Sequence, residues 1–473
     1  MWKTTFTILL LLLSTLGGML FWQWHAYSEQ NDEVPIEQIE QAEQLLTVQS
    51  SINQLEITQT IEGLNSTKEY RFTIPGEATQ WSCLKEDGSN CDSKDENPNS
   101  FLAESGKLRF VLTIPLKGNN SSFLYHDWFV VLPEVSVTNT MIEIVDSAKR
   151  EGSWVTGLPL KGFNKLDYID YYVFEGQRTE ASLFWQSTPL TLKRQNTISY
   201  FIGESHGEVN YSFEALKELT NPPQLSIVLT NEYPDTNGKG LIITKPDVEL
   251  NVLERKIVHT YMSGKFEKLP LEEQWLLDVF TSLFINKESK AQKGMQLINE
   301  LKEKLSEEEL KRYMQAIIQE DQPINTQKLD ELLGTMSGKR TYFFTINKNE
   351  STQFIPLYYF DNRKVFVESN LKEDVEIVYM DGKTLFPFVE TLTALGFEVK
   401  VLSDQETLLL SKGNNSYRFY LNQNIFIYNE EDYGLLENPL NSLNGKIYMD
   451  HHWLKSIFHI SISEQQDKIE LSW

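Results

Sequence analysis

The sequence predicts a multidomain α+β protein, and three observations support this class. Its 473 residues exceed the usual size of one domain and suit three. Apolar and polar residues alternate in stretches between residues 55 and 198, which is typical of strands, whereas helical spacing dominates between residues 199 and 345. Residues 373–473 contain an internal repeat, so we expect a further, separate α+β domain there.

The charge balance is strongly acidic. Asp and Glu number 67 against 43 Lys and Arg, which gives a formal net charge of −24 at pH 7. Nucleic acids and anionic membrane surfaces are bound by basic patches, so this balance argues against either as a direct partner of the folded body. It is typical of a soluble extracellular body that resists non-specific adhesion. We therefore expect no nucleic-acid partner.

The N-terminus predicts a signal-anchor, a transmembrane segment at residues 1–27. Lys3 precedes an uncharged run from Thr4 to Trp24 that is long enough to cross a bilayer, and acidic residues follow it. The positive-inside rule then places the body outside the cell, attached to the membrane by a single N-terminal helix. The absence of a clear cleavage site favours this anchor over a cleaved signal peptide, which stays the alternative. Residues 28–54 are polar with a weak helical stripe, and we interpret them as a spacer.

Residues 55–198 predict a β-rich domain. The segments Tyr70–Ile74 and Leu108–Ile114 alternate apolar and polar residues, and turn signals separate such segments. The two cysteines of the chain, Cys83 and Cys91, lie close together in a polar part of this domain. Export to an oxidising compartment makes a disulfide between them the first candidate, and two free thiols are the alternative.

Residues 199–345 predict an α-rich domain. Apolar residues at helical spacing indicate helices at 250–262, 271–285, 289–304, 306–319 and 326–336. Pro270 separates the first two helices, and Ser306 is typical of a capped helix start. The apolar stripe that contains Trp275 and Phe280 is interpreted as core and not as a ligand site.

The segment Arg255–His259 looks like a zinc helix that has lost most of its chemistry. Zinc peptidases use His-Glu-x-x-His, in which two His one turn apart bind the metal and the Glu acts as general base. Here Arg255 stands in place of the first His and Lys256 in place of the Glu, so His259 alone remains. Residues 260–277, 18 in number, then separate His259 from Asp278.

The order and spacing of these segments resemble those of the aminopeptidase N-type gluzincins. In that family, 18 residues separate the second His from a third zinc ligand, a Glu inside a Trp-Leu-x-Glu-Gly-Phe-like segment. The corresponding segment of this chain is Trp275–Phe284, and it has Asp278 in place of that Glu. The family's Gly-x-Met-Glu-Asn strand is reduced to Asn237–Ile242, and its Tyr-x-Lys-Gly segment has Ala291 for the tyrosine. Ser337–Phe344 is similar to the family's closing segment. The resemblance implies a degenerate gluzincin peptidase-like domain at residues 199–345.

This resemblance implies a site without catalytic function. A catalytic zinc needs three protein ligands and a bound water whose proton is accepted by a carboxylate. Arg255 cannot bind a cation, Lys256 is a base only when neutral, and Ala291 lacks the tyrosine hydroxyl. We therefore expect no catalytic residue, no cofactor and no metal. If zinc binds at all, His259 and Asp278 are its candidate ligands.

A more specific hypothesis is that Arg255 replaces the zinc ion. Arg255 and His259 share one helix face by the i, i+4 rule. If the fold resembles that of the gluzincins, the guanidinium fills the metal position and pairs with Asp278 as a fixed cation. The alternative is that Arg255 and Asp278 are solvated charges on ordinary amphipathic helices, since surface ion pairs are common and weak.

The C-terminal segment repeats one order of turn, strand, short helix, strand, turn and strand. The two copies occupy residues 381–411 and 444–472. This pattern resembles the copper amine oxidase N-terminal-like stalk domain of bacterial surface proteins, over residues 373–473, with connecting strands at 346–372. Pro387 matches the family's proline, whereas the family's arginine is missing. Despite its name, the domain is not expected to bind copper or oxidise amines.

Together these observations favour a membrane-anchored, extracellular and non-catalytic protein of the bacterial cell surface, built on a pseudo-peptidase body. Such a protein binds a peptide, a cell-wall component or another protein, or acts as a structural spacer. The alternative is a metallopeptidase or other hydrolase with an atypical zinc site. Bound zinc supports that alternative, whereas peptide binding without metal supports a binding protein.

Overall fold

A computed structural model of the chain describes residues 40–92, 100–116, 120–203, 211–217, 224–266, 269–320, 322–404 and 406–473. The predicted membrane segment at 1–27 and the first part of the predicted spacer lie outside these residues. Within the described ranges, no helix is long and apolar enough to cross a membrane. The chain divides into two compact units, Met1–Asn210 with Pro223–Val248 and Tyr211–Pro222 with Glu249–Trp473. It is a multidomain α+β protein, as predicted.

The first unit is β-rich, as predicted. Its strands are, in chain order, β1 (Glu40–Ser50), β2 (Gln54–Glu62), β3 (Glu69–Arg71), β4 (Gln80–Leu84), β5 (Ser100–Leu102), β6 (Lys107–Pro115), β7 (Ser122–Tyr125), β8 (Val135–Asp146), β9 (Ser153–Thr156), β10 (Leu160–Lys165), β11 (Asp170–Gly176), β12 (Leu183–Gln186), β13 (Leu190–Gln195), β14 (Ile198–Gly203), β15 (Leu225–Leu229), β16 (Thr236–Gly238) and β17 (Leu241–Thr244). Seven of them form one sheet in the order β10-β11-β8-β1-β2-β6-β4. Smaller sheets have the orders β7-β12-β9, β13-β14-β15-β17-β16 and β3-β5.

Strand β1 corrects the prediction of a spacer at residues 28–54. It pairs in parallel with β8 and antiparallel with β2, in the middle of the seven-stranded sheet. Its alternate side chains are buried, including Leu46 and Val48, and a burial period of two defines a strand. Gln44 and Ser50 occupy other inward positions. Because these inward residues are polar, the apolar alternation was too weak for the sequence to predict this strand.

Three inward polar residues of this sheet, Gln44, Gln59 and Thr140, are linked by hydrogen bonds. Gln44 Nε2 donates to Thr140 Oγ1 at 2.8 Å, and Gln59 Nε2 donates to Gln44 Oε1 at 2.9 Å. Gln59 Oε1 in turn accepts from the backbone N–H of Val130 at 2.8 Å. A buried amide that is hydrogen-bonded avoids most of the cost of leaving water. This network therefore allows a polar segment such as β1 to lie in the middle of the sheet.

Cys83 and Cys91 form a disulfide, with their Cα atoms 5.3 Å apart. Cys83 lies on β4 with its side chain in the core, and its carbonyl oxygen accepts from the N–H of Cys91 at 3.0 Å. The bond therefore closes the turn that follows β4. Of the two alternatives that the sequence left open for these cysteines, the structure has the disulfide.

The predicted boundary between residues 198 and 199 falls inside a sheet. Strand β14 begins at Ile198, pairs antiparallel with β13 and pairs in parallel with β15, which in turn pairs in parallel with β17. The segment Pro223–Val248 accordingly belongs to the first compact unit. The long helices of the second unit start after this segment, because the hydrogen-bonded sheet continues as far as Thr244.

The second unit begins with helices. They are α1 (Glu214–Lys217), α2 (Leu250–Ser263), a 3-10 turn (Leu271–Glu273), α3 (Trp275–Phe284), α4 (Gln292–Lys304), α5 (Glu307–Gln319), α6 (Thr326–Ser337) and α7 (Phe343–Asn347). The five helices predicted from apolar spacing are confirmed. Ser306 and Glu309 form a reciprocal capping box at the start of α5, and Gly338 ends α6 with φ of 67°. Trp275 and Phe280 lie in the apolar core, as predicted.

The rest of the second unit is mixed. It contains strands β18 (Tyr359–Phe360), β19 (Lys364–Val367), β20 (Asn370–Leu371), β21 (Val378–Met380), β22 (Lys383–Pro387), β23 (Glu398–Val401), β24 (Thr407–Lys412), β25 (Asn415–Tyr420), β26 (Ile425–Tyr428), β27 (Glu431–Gly434), β28 (Leu440–Leu443), β29 (Lys446–Asp450), β30 (Ser461–Glu464) and β31 (Lys468–Ser472), with helices α8 (Phe388–Ala394) and α9 (His451–Phe458). The sheets have the orders β18-β21-β22-β29-β28, β20-β19-β31-β30 and β23-β24-β25-β26-β27.

The repeat found in the sequence has a matching order of elements. A hairpin, a helix and a second hairpin follow one another as β21-β22-α8-β23-β24 and again as β28-β29-α9-β30-β31. Both first hairpins turn through two residues with positive φ, Asp381-Gly382 and Asn444-Gly445, which is the two-residue turn that matches strand twist. Strand β19 pairs with β31, so part of the segment at 346–372, predicted to be connecting strands, completes this region.

Candidate functional site

The residues that mark the degenerate zinc motif lie on helices α2 and α3. The apolar side chains Leu253, Ile257 and Val258 bury one side of α2, and Val279 and Phe280 bury one side of α3. This packing orients the two helices so that their partly exposed polar positions meet. The apolar residues determine which side of each helix is buried, and the charged residues on the remaining sides are thereby brought together.

Arg255 and Asp278 form an ion pair between these helices. Arg255 Nη2 donates to Asp278 Oδ1 at 2.5 Å and to Ser282 Oγ at 2.8 Å, and Nη1 donates to the carbonyl oxygen of Glu288 at 3.2 Å. The two side chains are 21% and 18% exposed, respectively. Both residues are therefore held by several partners, unlike two solvated charges on a helix surface. The structure brings together the pair that the sequence hypothesis joined.

The second oxygen of Asp278 is also engaged. Asp278 Oδ2 accepts from Ser289 Oγ at 2.7 Å and from the backbone N–H of Lys290 at 2.7 Å. Burial raises the pKa of this carboxyl, but the hydrogen bonds from Arg255, Lys290 and Ser289 outweigh burial and leave the pKa below its usual range. The carboxylate is thus ionised at neutral pH and bonded to protein through both oxygens.

His259 lies one turn after Arg255 on α2 and is partly buried. Burial lowers the pKa of its imidazole, the nearby Asp278 raises it, and Lys290 and Arg255 lower it further, so that the net direction is downward. A lowered pKa keeps the ring neutral at pH 7. Lys256 is partly exposed, and its carbonyl oxygen accepts from Thr260 Oγ1 at 2.9 Å within α2.

Ala291 is the residue before the first turn of α4 and carries no group able to contact a substrate oxygen. Lys293, two residues later, is buried, and its Nζ donates to Asn349 O at 2.7 Å and to Thr352 Oγ1 at 2.9 Å. Gly294 allows α4 to approach its neighbours closely, since a Cβ there would lie 2.2 Å from Ser289 Oγ. This end of α4 is therefore fixed by packing.

The residues present do not fit a catalytic zinc ion. Such an ion needs three protein ligands, and within the part of the chain that the structure describes, no group of three or more His, Cys, Asp or Glu could hold a metal. Both oxygens of Asp278 are bonded to protein donors. The guanidinium of Arg255 binds the Asp278 carboxylate, and its positive charge would repel a metal cation there. This arrangement therefore supports no reaction step through zinc.

Sequence reasoning missed several residues of this cluster. Ser282, Ser289 and the backbone of Lys290 supply three of its hydrogen bonds. Ser282 lies four residues after Asp278 on α3, so the i, i+4 spacing offered a signal for it. Ser289 and Lys290 reach Asp278 from the turn before α4, and no periodic pattern in the sequence marks such a turn.

A cavity of about 810 Å³ opens beside Arg255. Lys287, Lys290 and Lys302 line it with cationic side chains, whereas Met295 and Ile298 supply an apolar part. Lys302 Nζ donates to Asn286 Oδ1 at 2.9 Å, so part of this charge is used within the protein. The cavity gives solvent an approach to Arg255, and Glu288 adds a carboxyl to its lining.

A second cavity, of about 740 Å³, lies in the C-terminal region. It is lined by side chains from the strands β25, β26 and β27, from helix α9 and from Trp473. The lining is aromatic, with Tyr417, Tyr428, Tyr433 and Trp453 among its residues. This cavity therefore differs in chemistry from the one beside Arg255.

Comparison with known families gives one match within this region, to the family described as copper amine oxidase N-terminal domain, at residues 365–472. The C-terminal region is a copper amine oxidase N-terminal domain. The predicted resemblance is thereby confirmed for this region. The match begins at residue 365 and not at 373, which agrees with the pairing of β19, Lys364–Val367, with β31. No curated protein matches the chain.

Solved structures with a similar backbone include the M1 zinc metallopeptidase from Deinococcus radiodurans, at 11% sequence identity and a TM-score of 0.44, covering 63% of this chain and 90% of that one. A mutant of that enzyme bound to a Tyr-Ser-Ala substrate gives the same identity, TM-score and coverage. So does a two-domain M1 zinc metallopeptidase mutant bound to L-tryptophan. The chain is thus similar in backbone to M1 zinc metallopeptidases over part of its length.

Proposed function

We propose that this chain is a non-catalytic binding protein of the bacterial cell surface, with a pseudo-peptidase body and a copper amine oxidase N-terminal domain that meets the ligand. The observation that carries the proposal is the set of contacts around Asp278. Its carboxylate accepts three hydrogen bonds, from Arg255, Ser289 and Lys290, and these three donors share its two oxygens. A carboxylate held in this way is a structural anchor and not a metal ligand.

The replaced residues support the same proposal chemically. A general base must be neutral or anionic at working pH, and the residue in that place is Lys256. The residue in place of the transition-state tyrosine is Ala291, which has no hydroxyl. Restoring hydrolysis would require a ligand, a base and a hydroxyl together. We accordingly propose that neither zinc nor another cofactor takes part in the function.

The proposed location follows from the N-terminal sequence. Lys3, the uncharged run Thr4–Trp24 and the acids after it favour a single-pass anchor with the body outside the cell. The disulfide between Cys83 and Cys91 supports an oxidising compartment for the body. The net charge of −24 supports partners other than nucleic acid. A peptide, a cell-wall component or another protein then remains as the partner.

Elemental analysis of the purified full chain tests the proposal. We expect no stoichiometric zinc before or after incubation with zinc, and no release of amino acids from aminopeptidase substrates. One zinc per chain that disappears in His259→Ala, together with peptide hydrolysis, would overturn the proposal and establish the metallopeptidase alternative. The double variant Arg255→His with Lys256→Glu is the matched control, since it rebuilds the zinc helix motif and shows whether the assay detects a metal bound at this position.

Location is tested separately, by protease treatment of intact cells. We expect an external protease to cleave the body while a cytoplasmic marker protein stays whole. We also expect the body to remain with the membrane fraction. Release of a shorter, soluble body into the medium would show a cleaved signal peptide in place of an anchor, and protection from the protease would exclude the proposed topology.

A further inference from the structure

The cavity of about 740 Å³ in the C-terminal domain is lined largely by aromatic side chains. We call it the aromatic groove and define it by Tyr417, Phe426, Tyr428, Tyr433, Trp453 and Trp473. Its volume lies within the roughly 300–1,000 Å³ that small-molecule sites occupy. The groove therefore has the size of a ligand site.

The strand register aligns these rings on one face. Tyr417 on β25 lies directly opposite Tyr428 on β26, with ring centroids 4.8 Å apart. Phe426 on β26 lies opposite Tyr433 on β27, with ring centroids 5.2 Å apart and planes within 18°. Cross-strand partners point to the same side of a sheet. The aromatic rings consequently form one continuous surface and are not scattered singly.

The rings are held in fixed orientations. The Tyr428 hydroxyl donates to Asn415 Oδ1 at 3.0 Å, and the Tyr433 hydroxyl donates to Glu431 Oε2 at 3.1 Å. The Nζ of Lys412 lies 3.6 Å from the ring centroid of Trp473 and also donates to Leu395 O at 2.6 Å. Side chains that are already fixed lose little conformational freedom when a ligand binds. The groove is thus organised before binding.

Part of this aromatic surface faces solvent. Tyr433 is 40% exposed and Trp473 is 47% exposed, whereas Tyr417 and Phe426 beneath them are buried. A cluster of large apolar side chains that stays exposed, while its base is packed, is typical of an interaction surface. The exposed rings therefore offer flat platforms, and the buried rings support them.

One charge of each sign contacts a ring of the groove, Lys412 at Trp473 and Glu431 at Tyr433. Among the described residues that line the groove, none is Asp, Glu, Lys or Arg. A phosphate or other anion would meet no lining cation and a chain of net charge −24, and a cationic ligand would meet no lining carboxylate. Asn415, Ser456 and His459 lie at the same cavity and have groups that both donate and accept hydrogen bonds. The fitting ligand is uncharged, with apolar faces and several hydroxyl or amide groups.

We propose that the aromatic groove binds an uncharged oligosaccharide. The C–H faces of pyranose rings pack on the faces of Tyr433, Trp453 and Trp473, where the negative π-face meets polarised C–H groups. Their hydroxyl and acetamido groups then exchange hydrogen bonds with Asn415, Ser456 and His459. This inference rests on the proposed surface function and names its ligand class, the uncharged glycan of a cell wall.

Calorimetric titration of the full chain with chitohexaose, the hexamer of N-acetylglucosamine, tests the inference. We expect one binding site per chain. Tyr433→Ala and Trp453→Ala should each weaken binding by about fivefold to tenfold, the value of one aromatic stacking contact. Tyr433→Phe keeps the ring and should keep most of the affinity. Tyr168→Ala is the matched control, since Tyr168 is 85% exposed on the first unit and far in sequence from the groove.

Three results would overturn the inference. The first is no binding of chitohexaose by the full chain. The second is an affinity of Tyr433→Ala and Trp453→Ala that equals the affinity of the unchanged chain. The third is tighter binding of a proline-rich peptide that is lost in Tyr433→Ala, which would make the groove a peptide site. Circular dichroism of each variant shows whether it is folded. If the alanine variants of the rings unfold, Ser456→Ala keeps the test decisive, since it removes a proposed hydrogen bond to the glycan without removing a ring and should weaken binding. These results leave the zinc and hydrolysis measurements unaffected, so failure of the glycan inference is distinct from failure of the proposed function.

Discussion

The degenerate zinc motif and the aromatic groove belong to the same compact unit but use their side chains in opposite ways. At the motif, Arg255 and Asp278 direct their polar atoms toward each other and toward the neighbouring serines. In the groove, Tyr433 and Trp473 direct much of their ring surface toward solvent. A ligand at the first site must displace protein partners, whereas a ligand at the second meets surface that is already open.

This difference relates the packing of a side chain to what that side chain can contribute. A charge cluster whose carboxylate already accepts from protein donors at both oxygens contributes to stability and gains little from a ligand. An exposed aromatic surface contributes little to stability and becomes useful only when it is covered. Substitutions should therefore change mainly stability at the motif and mainly binding at the groove.

The largest expected effect belongs to Asp278→Ala. The substitution leaves the guanidinium of Arg255 partly buried without its carboxylate and leaves Ser289 Oγ and the N–H of Lys290 without their acceptor. We expect the free energy of unfolding to fall by about 2–4 kcal/mol, less than the cost for a fully buried pair because the two side chains are about one-fifth exposed. Denaturant unfolding of the full chain measures this loss.

A double-mutant cycle separates the ion pair from the other contacts. Arg255→Met and Asp278→Ala should show a coupling energy of about 1–3 kcal/mol. The pair Lys328–Glu331, with 3.1 Å between Nζ and Oε2 and a Glu331 side chain that is 66% exposed, is the matched control and should give about 0.5 kcal/mol or less. A coupling energy near zero for Arg255 and Asp278 would show that they are ordinary solvated charges. The contrast between the motif and the groove would then lose its basis at the motif.

The next effect in size belongs to Gly294→Ala. A Cβ at this position would lie 2.2 Å from Ser289 Oγ and 3.1 Å from Val279 Cγ2, so α4 would have to shift and disturb the serine that binds Asp278. We expect a loss of about 1–3 kcal/mol in the free energy of unfolding, although alanine favours helices. Gly264→Ala is the control, because its Cβ would meet nothing closer than 3.4 Å. Equal stability of both variants would contradict the close packing.

A smaller effect is expected on the pH dependence of stability. The pKa of Asp278 is lowered in the folded protein, since the bonds from Arg255, Lys290 and Ser289 outweigh burial. Its stabilising contribution is then present above the unfolded pKa, about 4, and is lost as the pH falls through the lower folded value. Asp278→Asn should flatten the acid side of the curve of unfolding free energy against pH. An unchanged acid slope would show that the carboxylate gains no protection from these bonds.

Asp330 should affect the pH dependence of stability in the direction opposite to Asp278. Burial raises the pKa of its carboxyl to about 6, although the N–H groups of Phe344 and Thr345 bind it. Between about pH 4 and the folded value, the unfolded chain is ionised while the folded protein keeps its proton. Stability therefore falls as the pH rises through this window. Asp330→Asn should remove this decline, and a decline that persists would assign it to another group.

The smallest effect on stability belongs to Tyr433→Ala. The ring is 40% exposed and its hydroxyl bonds only to the exposed Glu431 among the described contacts, so we expect a change of about 0.5 kcal/mol in the free energy of unfolding. Thermal unfolding beside the glycan titration measures both properties on one sample. A large loss of stability would show that the groove is part of the core and would erase the contrast with the motif.

Much of the fold could be predicted because periodic apolar patterns report directly on burial. The helices α2 to α6 and the C-terminal repeat were predicted from spacing and turn residues. The contact between Arg255 and Asp278 was expected from the resemblance to the gluzincin zinc site. Strand β1 was not predicted, since its burial is stabilised by Gln59 and Thr140, which lie far along the chain from Gln44. Hydrogen bonds between distant residues leave no local period in a sequence.

The same limit applies to the candidate sites. Ser289 and the N–H of Lys290 reach Asp278 from a turn, and the rings of the groove meet only after β25, β26 and β27 pair. The aromatic residues between 417 and 433 were visible in the sequence, but their common face depends on strand register. A change of register by one residue would turn each ring to the other side of the sheet.

The central place of β1 also determines when the first unit can fold. Glu40–Ser50 pairs along its length with Val135–Asp146, which leaves the ribosome long after it. Parallel pairing over such a separation raises the contact order and slows the search for the native topology. Until β8 is made, β1 and β2 expose an unpaired strand edge that is open to wrong partners. We expect the nascent chain to depend on holding factors until residue 146 has emerged, and its isolated first hairpins to aggregate.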